Sequence, residues 1–449
     1  MEVVRYQLAP YWVLRHDEHR HDCYTLFDIR AAKMYTINRS IFRLLSFIEA
    51  SGKRLDEVVD FFGQENEIDY STVFSNLNKQ WDGLVLNTNA EVRVAEHPRL
   101  QFTPRVPVCS SPRTAEIQLT TQCNLECLHC LYSCGRNSQN ELISGEEWVR
   151  ILRELEANRM RTVTLTGGEL FTHPDIDTII EALGKMRMQF VILTNAMLIT
   201  PERARMLAHP NILLSISLDG NTEESHDFLR GAGAYRVLMR KMELLASLGM
   251  ERVLSVTLHA QNTGQIEGLV EYALANNVKA LNFTILDDIG RAQENRILHL
   301  TRAQRRDCKQ RIQRLQKQYA QILPIVLLDP EEGFESSDSG SPHAADDEPV
   351  TCTGAISHIA IATDGSVYPC VYAFGVDTLF AGRMTERTLG EIWNTDKWSL
   401  LRGGITMQDL HQCKSCTLRS SCQTKSCRVR ALKYKGDLYA APKCVAFPH

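Results

Sequence analysis

The stretch "AEIQLTTQCNLECLHCLYSC", residues 115–134, joins a strand-like run to a loop that carries four cysteines. Three of them, Cys123, Cys127 and Cys130, have the spacing C-x3-C-x2-C. On a loop, this spacing lets three thiolates converge on three corners of a cubane [4Fe-4S] cluster and leaves the fourth iron without a protein ligand. An open iron is a place where a substrate or cofactor binds.

The run at residues 115–120 is the first of six strand-like segments that alternate with helix-like segments. The later strands read "TVTLTGG", "FVILTN", "ILLSISLDG", "VLSVTLHA" and "KALNFTIL". Repeated β-then-α units predict an α/β fold with a parallel sheet curled into a partial (β/α)6 TIM-like barrel. In such barrels the chemistry lies at the C-terminal mouth, and the cysteine loop follows the first strand at that mouth.

A structural zinc site is the alternative interpretation of this loop, with Cys134 or His129 as the fourth ligand. The position of the loop at the barrel mouth argues against zinc. A second feature, "TGGE" at residues 166–169, ends the next strand. Two glycines permit close backbone approach to a ligand, and a glutamate accepts a hydrogen bond from an amine. A lone Gly-Gly pair is typical of a turn, but this pair follows the cysteine loop by one βα unit and indicates a ligand site.

Together these motifs resemble those of the radical S-adenosylmethionine (SAM) enzymes. The resemblance implies that the open iron chelates the amino and carboxylate groups of SAM. It also implies that reductive cleavage of SAM gives a 5′-deoxyadenosyl radical, which abstracts a hydrogen from the substrate. Cys134 has no counterpart in the family motif and is interpreted as spare. The implied SAM-binding residues are Gly167, Gly168 and Glu169 for the amino group, Ser217 in "SISLDG" and Arg230 in "SHDFLRG" for the ribose and carboxylate, and Asn195 in "LTNA".

A second cysteine group lies near the C-terminus and has seven members. Four of them, Cys413, Cys416, Cys422 and Cys427, would on their own be typical of a zinc knuckle. That interpretation leaves the other three cysteines without a role. The full set resembles the SPASM extension of radical SAM enzymes, which holds two auxiliary [4Fe-4S] clusters. The spacing departs from the family by one extra residue between Cys422 and Cys427. The resemblance implies Cys352, Cys370 and Cys427 as ligands of auxiliary cluster I, and Cys413, Cys416, Cys422 and Cys444 as ligands of auxiliary cluster II.

Auxiliary cluster I is then one ligand short. The nearest upstream cysteine, Cys308, shares a helical spacing with Ile312 and Leu315, which predicts a position in the core. An open iron is therefore expected on cluster I, free to hold a substrate thiolate. The alternative is that water, or a side chain such as His343, fills the position.

Residues 1–95 read as short strands followed by three helices, the pattern of a winged-helix-like module. Such modules commonly bind DNA, but this one has 11 Lys and Arg against 14 Asp and Glu, a poor surface for phosphate. The module resembles the precursor-peptide recognition domain of ribosomal-peptide maturation enzymes. The resemblance implies that a leader peptide contacts the third helix, at about residues 70–81, and adds to the edge of the strand formed by Lys33, Met34, Tyr35, Thr36, Ile37 and Asn38.

The predicted organisation has five parts: the recognition domain at 1–95, a linker at 96–113, the radical SAM barrel at 114–328, an acidic linker at 329–350 and the SPASM domain at 351–449. The acidic linker carries eight acidic and no basic residues, which indicates a mobile segment. The net charge of −4 argues against a nucleic-acid binder. Neither a signal peptide nor a membrane-length apolar run is visible, so we predict a cytoplasmic protein without a membrane partner.

Taken together, the three parts resemble radical SAM/SPASM maturases of ribosomally made peptides, in the thioether-forming sactipeptide family that includes the subtilosin A maturase. The implied activity is of the oxidoreductase type and joins a cysteine sulfur of a precursor peptide to a carbon of another residue. It requires SAM, three [4Fe-4S] clusters and an electron donor such as flavodoxin or ferredoxin, and no catalytic residue beyond the clusters is assigned. The alternatives are a maturase that forms carbon–carbon cyclophanes or epimerises residues, a sulfatase-maturing enzyme, and an iron–sulfur winged-helix regulator.

Overall fold

The computed structural model describes residues 5–20, 22–49, 52–62, 68–87, 97–138, 141–330, 347–416 and 427–442. An N-terminal module with its own small sheets packs against a larger α/β body. The strands of the module are β1 Tyr6–Leu8, β2 Trp12–His16, β3 Tyr24–Asp28, β4 Lys33–Thr36 and β5 Val85–Asn87. Its helices are α1 Arg39–Glu49, α2 Leu55–Phe62 and α3 Tyr70–Gln80.

The module folds around a core of its own. Strands β2, β3 and β4 form an antiparallel sheet in that order, and β1 pairs with β5 at the other side of the module. One face of α1 is apolar and buries Leu45 and Ile48 against Trp12 and Phe74. Asp69 caps α3 by accepting the Ser71 N–H. The three helices expected from the sequence are present, and β1 is an element that the sequence pattern did not predict.

Buried ion pairs fix the module to the body of the protein. Asp17, which follows β2, is fully buried and accepts from Arg15 and from Arg113, each at 2.8 Å. Arg113 also pairs with Asp22 at 2.6 Å. Because buried charges are tolerated only when they are paired, this network fixes where the module sits on the barrel.

The body of the protein alternates strands and helices, as the sequence predicts. Its strands are β6 Thr114–Gln118, β7 Thr162–Thr166, β8 Gln189–Thr194, β9 Ile212–Ser217, β10 Arg252–Leu258, β11 Ala280–Ile285 and β12 Ile325–Leu328. Its helices are α4 Gly145–Ala157, α5 Ile176–Leu183, α6 Pro201–Leu207, α7 Glu223–Arg230, α8 Ala234–Ser247, α9 Ile266–Ala275 and α10 Arg302–Gln318.

All seven strands of this body pair in parallel and in chain order. The prediction of a large parallel sheet in an α/β fold is confirmed, with β12 as a seventh strand beyond the six predicted. Local signals start the helices: Ser144 caps α4, and Thr301 opens α10 in a capping box with Gln304. Cys308 on α10 is fully buried in the core, as its helical spacing predicts.

Alternate residues of β6 point to opposite faces of the sheet. Ala115 and Ile117 belong to the apolar core between the sheet and the helices. Glu116 and Gln118 lie on the other face, and the Tyr132 hydroxyl donates to Glu116 Oε1 at 3.1 Å. The inner face of the barrel therefore carries polar side chains close to the mouth.

The cysteine-rich C-terminal part is built onto the edge of the same sheet. It contains the strands β13 His358–Ile361, β14 Ser366–Tyr368 and β15 Gly382–Arg383 and the helices α11 Leu389–Trp393 and α12 Arg428–Lys435. Strand β13 pairs in parallel with β6, and β14 and β15 continue the sheet to ten strands. This pairing attaches the C-terminal part to the barrel sheet along β6. No helix in the described part of the chain is long and apolar enough to cross a membrane.

Candidate cofactor-binding site

The three cysteines of the motif lie in one loop at the carboxyl end of β6. Cys123 and Cys127 are buried, and Cys130 is half-buried. Backbone N–H groups point at two of the sulfurs, from Leu125 to Cys123 Sγ at 3.4 Å and from Cys134 to Cys130 Sγ at 3.3 Å. N–H donors directed at sulfur suit thiolates, which are the form of cysteine that binds iron.

The charges around the loop also fit anionic sulfur. Arg230 Nη1 lies 3.9 Å from Cys127 Sγ. A hydrogen bond from the Cys134 thiol lowers the pKa of Cys130 to about 5, whereas burial raises the pKa of Cys123 to about 12. Cys134, to which the sequence assigned no role, is buried. Its thiol is the hydrogen-bond partner of the predicted ligand Cys130.

A single-ion zinc site requires several donors to meet at one point. Within the described residues, no group of three or more His, Cys, Asp and Glu side chains is arranged to hold one metal ion. A cubane binds each thiolate at a different iron, so its ligands stand farther apart than those of one ion. In the described part of the chain, Cys123, Cys127 and Cys130 therefore do not converge as the ligands of one zinc ion would.

The TGGE segment docks directly onto the backbone of the cysteine loop. The Gly168 N–H donates to Thr120 O at 2.7 Å, and the Glu169 N–H donates to Gln122 O at 2.8 Å. A Cβ on Gly167 or Gly168 would collide with these same carbonyl oxygens. The glycines are therefore required for contact between the two loops, a role that sequence reasoning missed.

Glu169 is fully buried beneath the mouth of the barrel. Its carboxylate accepts from Thr194 Oγ1 at 2.7 Å and from the Asn195 N–H at 2.8 Å. Burial raises the pKa of Glu169 to about 7. The Asn195 side chain in turn donates to Asn124 Oδ1 at 2.9 Å, which ties the end of β8 to the cysteine loop. Three predicted site segments thus meet at one place.

The end of β9 contributes a buried charge that sequence reasoning missed. Asp219 accepts from Arg230 Nε at 2.5 Å and from the Thr257 N–H at 2.7 Å. Asp219 fixes Arg230 beside Cys127. The sequence signal that could have identified Asp219 was its position in the "SLDG" motif. Ser217, the last residue of β9, lies two residues before Asp219 at the same edge of the sheet.

Two histidines near Asp219 carry ring nitrogens without a partner. His129 Nδ1 and His259 Nε2 are buried and make no hydrogen bond among the described residues. Burial lowers the pKa of His129 to about 3 and that of His259 to about 4, so both rings are neutral at pH 7. Orphaned polar atoms beside the cysteine loop fit a polar ligand at this mouth, and SAM is such a ligand.

The second cysteine group brings its first predicted ligand set together. Burial and the neighbouring thiol of Cys427 raise the pKa of Cys352 to about 12. Burial, Cys427 and Cys352 raise the pKa of Cys370 well above its usual value. These three thiols therefore lie within electrostatic reach of one another, as ligands of one cluster must. Cys308 is elsewhere, among Arg311, Asp307 and Glu267.

The second predicted set is only partly described. Cys413 and Cys416 flank a single helical turn, and Cys422 and Cys444 lie outside the described residues, as does His343. Arg428 interacts electrostatically with Cys413 as well as with Cys427 and Cys352. This arginine therefore stands between the two predicted auxiliary sites.

A cavity of about 490 Å³ separates the cysteine loop from the C-terminal part. Aromatic rings form much of its wall. The Arg430 guanidinium contacts two of these rings, those of Tyr372 and Tyr434, and pairs with Asp287 at 2.7 Å. The cavity thus lies between the two cysteine-bearing regions. Its lining residues are Gln118, Thr121, Leu131, Tyr132, Ser133, Ile289, Gly290, Gln293, Val371, Tyr372, Phe374, Lys433 and Tyr434.

The strand predicted to bind a peptide, β4, is an outer strand of the module sheet. The Ile37 N–H donates inward to Tyr24 O at 3.0 Å, so Met34 and Thr36 direct their backbone groups away from the sheet. The opposite outer strand, β2, is covered by the barrel. There Arg187 donates to Trp12 O at 2.7 Å and Arg159 donates to Leu14 O at 2.8 Å.

Comparison with known proteins identifies two domains. Residues 117–273 match the Radical SAM superfamily, and residues 352–418 match SPASM, an iron-sulfur cluster-binding domain. The chain is 26% identical over 364 residues to the AdoMet-dependent heme synthase of Methanosarcina barkeri, covering 76% of this chain and 99% of that protein.

Two further relatives carry names of peptide-related proteins. The PqqA peptide cyclase of Rhizobium meliloti is 24% identical over 350 residues, which covers 76% of this chain and 89% of the cyclase. The subtilosin biosynthesis protein AlbA of Bacillus subtilis is 25% identical over 321 residues, which covers 70% of this chain and 65% of AlbA.

Among solved structures, Streptococcus suis SuiB bound to the precursor peptide SuiA shares the fold with a TM-score of 0.72. The identity is 18%, and the match covers 98% of this chain and 99% of SuiB. The shared fold therefore includes the N-terminal module as well as the two domains.

Proposed function

Because the chain carries a radical SAM domain followed by a SPASM domain, we propose that it modifies a ribosomally made precursor peptide. The proposed reaction joins the sulfur of a peptide cysteine to a carbon of another residue and so forms a thioether crosslink. The observation that carries the proposal is the outer strand β4, whose backbone groups point outward on a module fixed to the barrel.

Strand addition is the recognition mode that this edge supports. An extended peptide pairs with an exposed strand through main-chain hydrogen bonds, and its alternate side chains give specificity. Arg159 and Arg187 occupy the outward carbonyls of β2, so β4 is the edge on which a peptide pairs. The peptide then continues from the module towards the barrel, because the buried Asp17 network holds the two in a fixed relation.

The thioether assignment is supported by the first ligand set of the SPASM domain. Cys352, Cys370 and Cys427 supply three thiols, and Cys308 is packed in the core beneath α10. Among the described residues this set leaves a fourth ligand position, and we propose that a peptide cysteine takes it. We propose that this cysteine enters through the cavity between the two cysteine-bearing regions.

Thioether formation removes one S–H and one C–H hydrogen and makes one S–C bond, a two-electron oxidation of the peptide. Cys123, Cys127 and Cys130 would hold the cluster that binds SAM, and the SPASM cysteines would hold the auxiliary clusters. Together these groups would supply the one-electron chemistry that the oxidation needs, taking up one peptide hydrogen atom and one electron while the remaining hydrogen leaves as a proton.

The residues of this chain place the reacting groups. Glu169 and Asn195 join the end of β8 to the cysteine loop, and Arg230 is held beside Cys127 by Asp219. Positioning of this kind is the main contribution of a protein to cofactor chemistry.

We propose that the complete enzyme holds three [4Fe-4S] clusters, one in the barrel loop and two in the SPASM domain, and takes its electron from a flavodoxin or ferredoxin. We also propose a cytoplasmic location. The second candidate reaction is a carbon–carbon crosslink; the similarity to a protein named PqqA peptide cyclase supports a ring-forming reaction on a peptide. The two candidates differ in whether the peptide cysteine is consumed.

The test is co-expression of this chain with short peptides encoded beside its gene, followed by mass spectrometry after alkylation of free thiols. We expect one peptide to lose two hydrogen atoms per crosslink and to lose one alkylation site with each. A peptide that loses the hydrogens and keeps every alkylation site would favour the carbon–carbon reaction. No change in any peptide, alongside active SAM cleavage, would contradict the proposed function.

A further inference from the structure

The junction between the N-terminal module and the barrel contains a guanidinium, that of Arg161, which pairs with no carboxylate among the residues that the structure describes. Arg161 lies between α4 and β7, and its Nε is buried with no hydrogen-bond partner among the described residues. Its side chain lies against Met34 Sδ, and its Cζ is 5.7 Å from the centre of the Phe27 ring. A thioether is a weak acceptor, and an aromatic ring is a weak substitute for an anion.

The neighbouring charges do not compensate this cation. Burial, together with the guanidiniums of Arg113 and Arg15, lowers the pKa of Arg161 to about 9. The nearby carboxylate of Asp17 is already held between those two arginines. Because a half-buried cation is less favourable without an anion to pair with it, Arg161 is in an environment that a further carboxylate would complete.

Arg161 is also at the open edge of the module sheet. Met34 pairs with Phe27 across β3 and β4, and both contact Arg161. Tyr35 points to the other face, where its ring packs near Trp81 and Trp12. A peptide strand added to β4 alternates its side chains between these two faces, and directly paired residues share a face. The residue across from Met34 therefore points its side chain towards Arg161.

We infer that Arg161 selects an aspartate or glutamate of the precursor peptide at the position paired with Met34. The inference rests on the proposed docking of the peptide at β4 and specifies its chemistry. A carboxylate at this position accepts parallel N–H bonds from the planar guanidinium, which is the strongest pairing available to an arginine. Arg161 belongs to the barrel, whereas β4 belongs to the module. Arg161 thereby sets the register in which the peptide pairs with β4.

The test is selection of random dodecapeptides displayed on phage against the immobilised, cluster-loaded, full-length protein. We expect the enriched peptides to share an acidic residue at one position. A synthetic peptide of the enriched sequence should bind the Arg161→Gln variant at least about tenfold more weakly than it binds the unaltered protein. The same peptide with Glu→Gln at the acidic position should bind the unaltered protein more weakly by a similar factor. Arg153→Gln is the matched control: it removes one exposed arginine from α4 and should leave the preference intact.

The Arg161→Glu variant makes the result independent of misfolding. Its enriched peptides should carry lysine or arginine at the same position, a gain that an unfolded protein cannot produce. Peptides that bind but show no acidic preference, or keep it with Arg161→Gln, would overturn the inference while leaving the docking role intact. If no peptide is enriched, or if enriched peptides bind equally well when β4 is disrupted, the docking at β4 fails and the inference with it.

Discussion

The sulfurs of the cysteine loop differ in what surrounds each of them. Cys123 accepts a backbone N–H, Cys127 lies beside Arg230, and Cys130 receives both the N–H and the thiol hydrogen bond of Cys134. These contacts favour the thiolate form of each sulfur, whereas burial opposes it and raises the pKa of Cys123 and Cys127. Cys134 contacts a ligand and is not expected to be one itself.

Replacing Cys123, Cys127 and Cys130 together with alanine should remove one cluster and abolish SAM cleavage. We expect the anaerobically reconstituted protein to hold roughly twelve irons per chain and the triple variant roughly eight, because each cubane holds four irons. The matched control is Cys134→Ser, which should keep the full iron content and cleave SAM. Iron analysis and chromatography of the nucleoside product give the result. Stoichiometric zinc with little iron would contradict the assignment.

A second prediction at the residue scale concerns Cys308. It is fully buried in the apolar core and lies apart from the SPASM cysteines. Cys308→Ala should lower the free energy of unfolding by about 1 kcal/mol, through a small cavity, and leave the iron content unchanged. Denaturant titration and iron analysis measure both. Loss of one cluster's iron in this variant would show that Cys308 is the fourth ligand, and the open position would be wrong.

At the scale of elements, two loops and two strand edges decide what the fold can bind. Gly168 brings the TGGE loop onto the cysteine loop. On the opposite side of that loop, Gly290 has a φ of +61° and lies against the carbonyl of Cys130, where a side chain would collide. Both glycines therefore serve contact between loops, which leaves the sulfurs free to face the mouth.

The outward N–H groups of β4 are the predicted donors for the peptide. Thr36→Pro removes one of them without touching the bonds between β3 and β4, whereas proline at Tyr35 would break the sheet itself. We expect Thr36→Pro to weaken binding of a modified precursor at least tenfold and to leave peptide-free SAM cleavage unchanged. Fluorescence anisotropy measures the binding, and Thr36→Ala, which retains the N–H, is the control. Equal binding by both variants would exclude β4 as the docking edge.

The junction network gives a prediction with a defined pH dependence. Burial alone would raise the pKa of Asp17, but its ion pairs with Arg15 and Arg113 prevail and hold it well below the usual value. A depressed carboxyl pKa stabilises the fold above the unfolded value near 4, and that stability is lost as the pH falls below it. Asp17→Asn should therefore lower the free energy of unfolding by about 3 to 5 kcal/mol at pH 7.

The difference between Asp17→Asn and the unaltered protein should stay constant from pH 7 to about pH 5 and narrow only below about 4, where the Asp17 carboxylate of the unfolded chain begins to bind a proton while the native carboxylate stays ionised. Denaturant titration at a series of pH values measures this difference. Asp82→Asn, which alters an exposed carboxylate, should change stability by less than about 0.5 kcal/mol. A difference that widens as the pH falls would contradict the assigned ion pairs.

At the scale of the whole molecule, three parts form one frame, and two of them, the barrel and the C-terminal part, meet around a cavity. The module is tied to the barrel by Asp17, and β13 joins the C-terminal part to β6 in one continuous sheet. The cavity of about 490 Å³ lies where the cysteine loop meets the C-terminal part. A peptide held at β4 thus belongs to the same rigid frame as both cysteine-bearing regions.

Much of this frame is predictable from the sequence because local patterns specify it. Alternating strand and helix periods predict the parallel sheet, and short cysteine spacings predict ligands that share a loop. Contacts between distant segments are not predictable in this way. The pairing of β13 with β6 and the position of Arg161 at β4 both join residues whose chain separation carries no local signal.

The central claim is that the first SPASM ligand set leaves a position for a peptide sulfur. The most direct test uses the Cys123→Ala, Cys127→Ala, Cys130→Ala variant, which should retain the auxiliary clusters alone. Its reduced electron paramagnetic resonance spectrum should change when the precursor identified by mass spectrometry is added, and should not change with the same peptide carrying Cys→Ser. An unchanged spectrum with both peptides, while both still bind, would contradict the account and favour carbon–carbon bond formation.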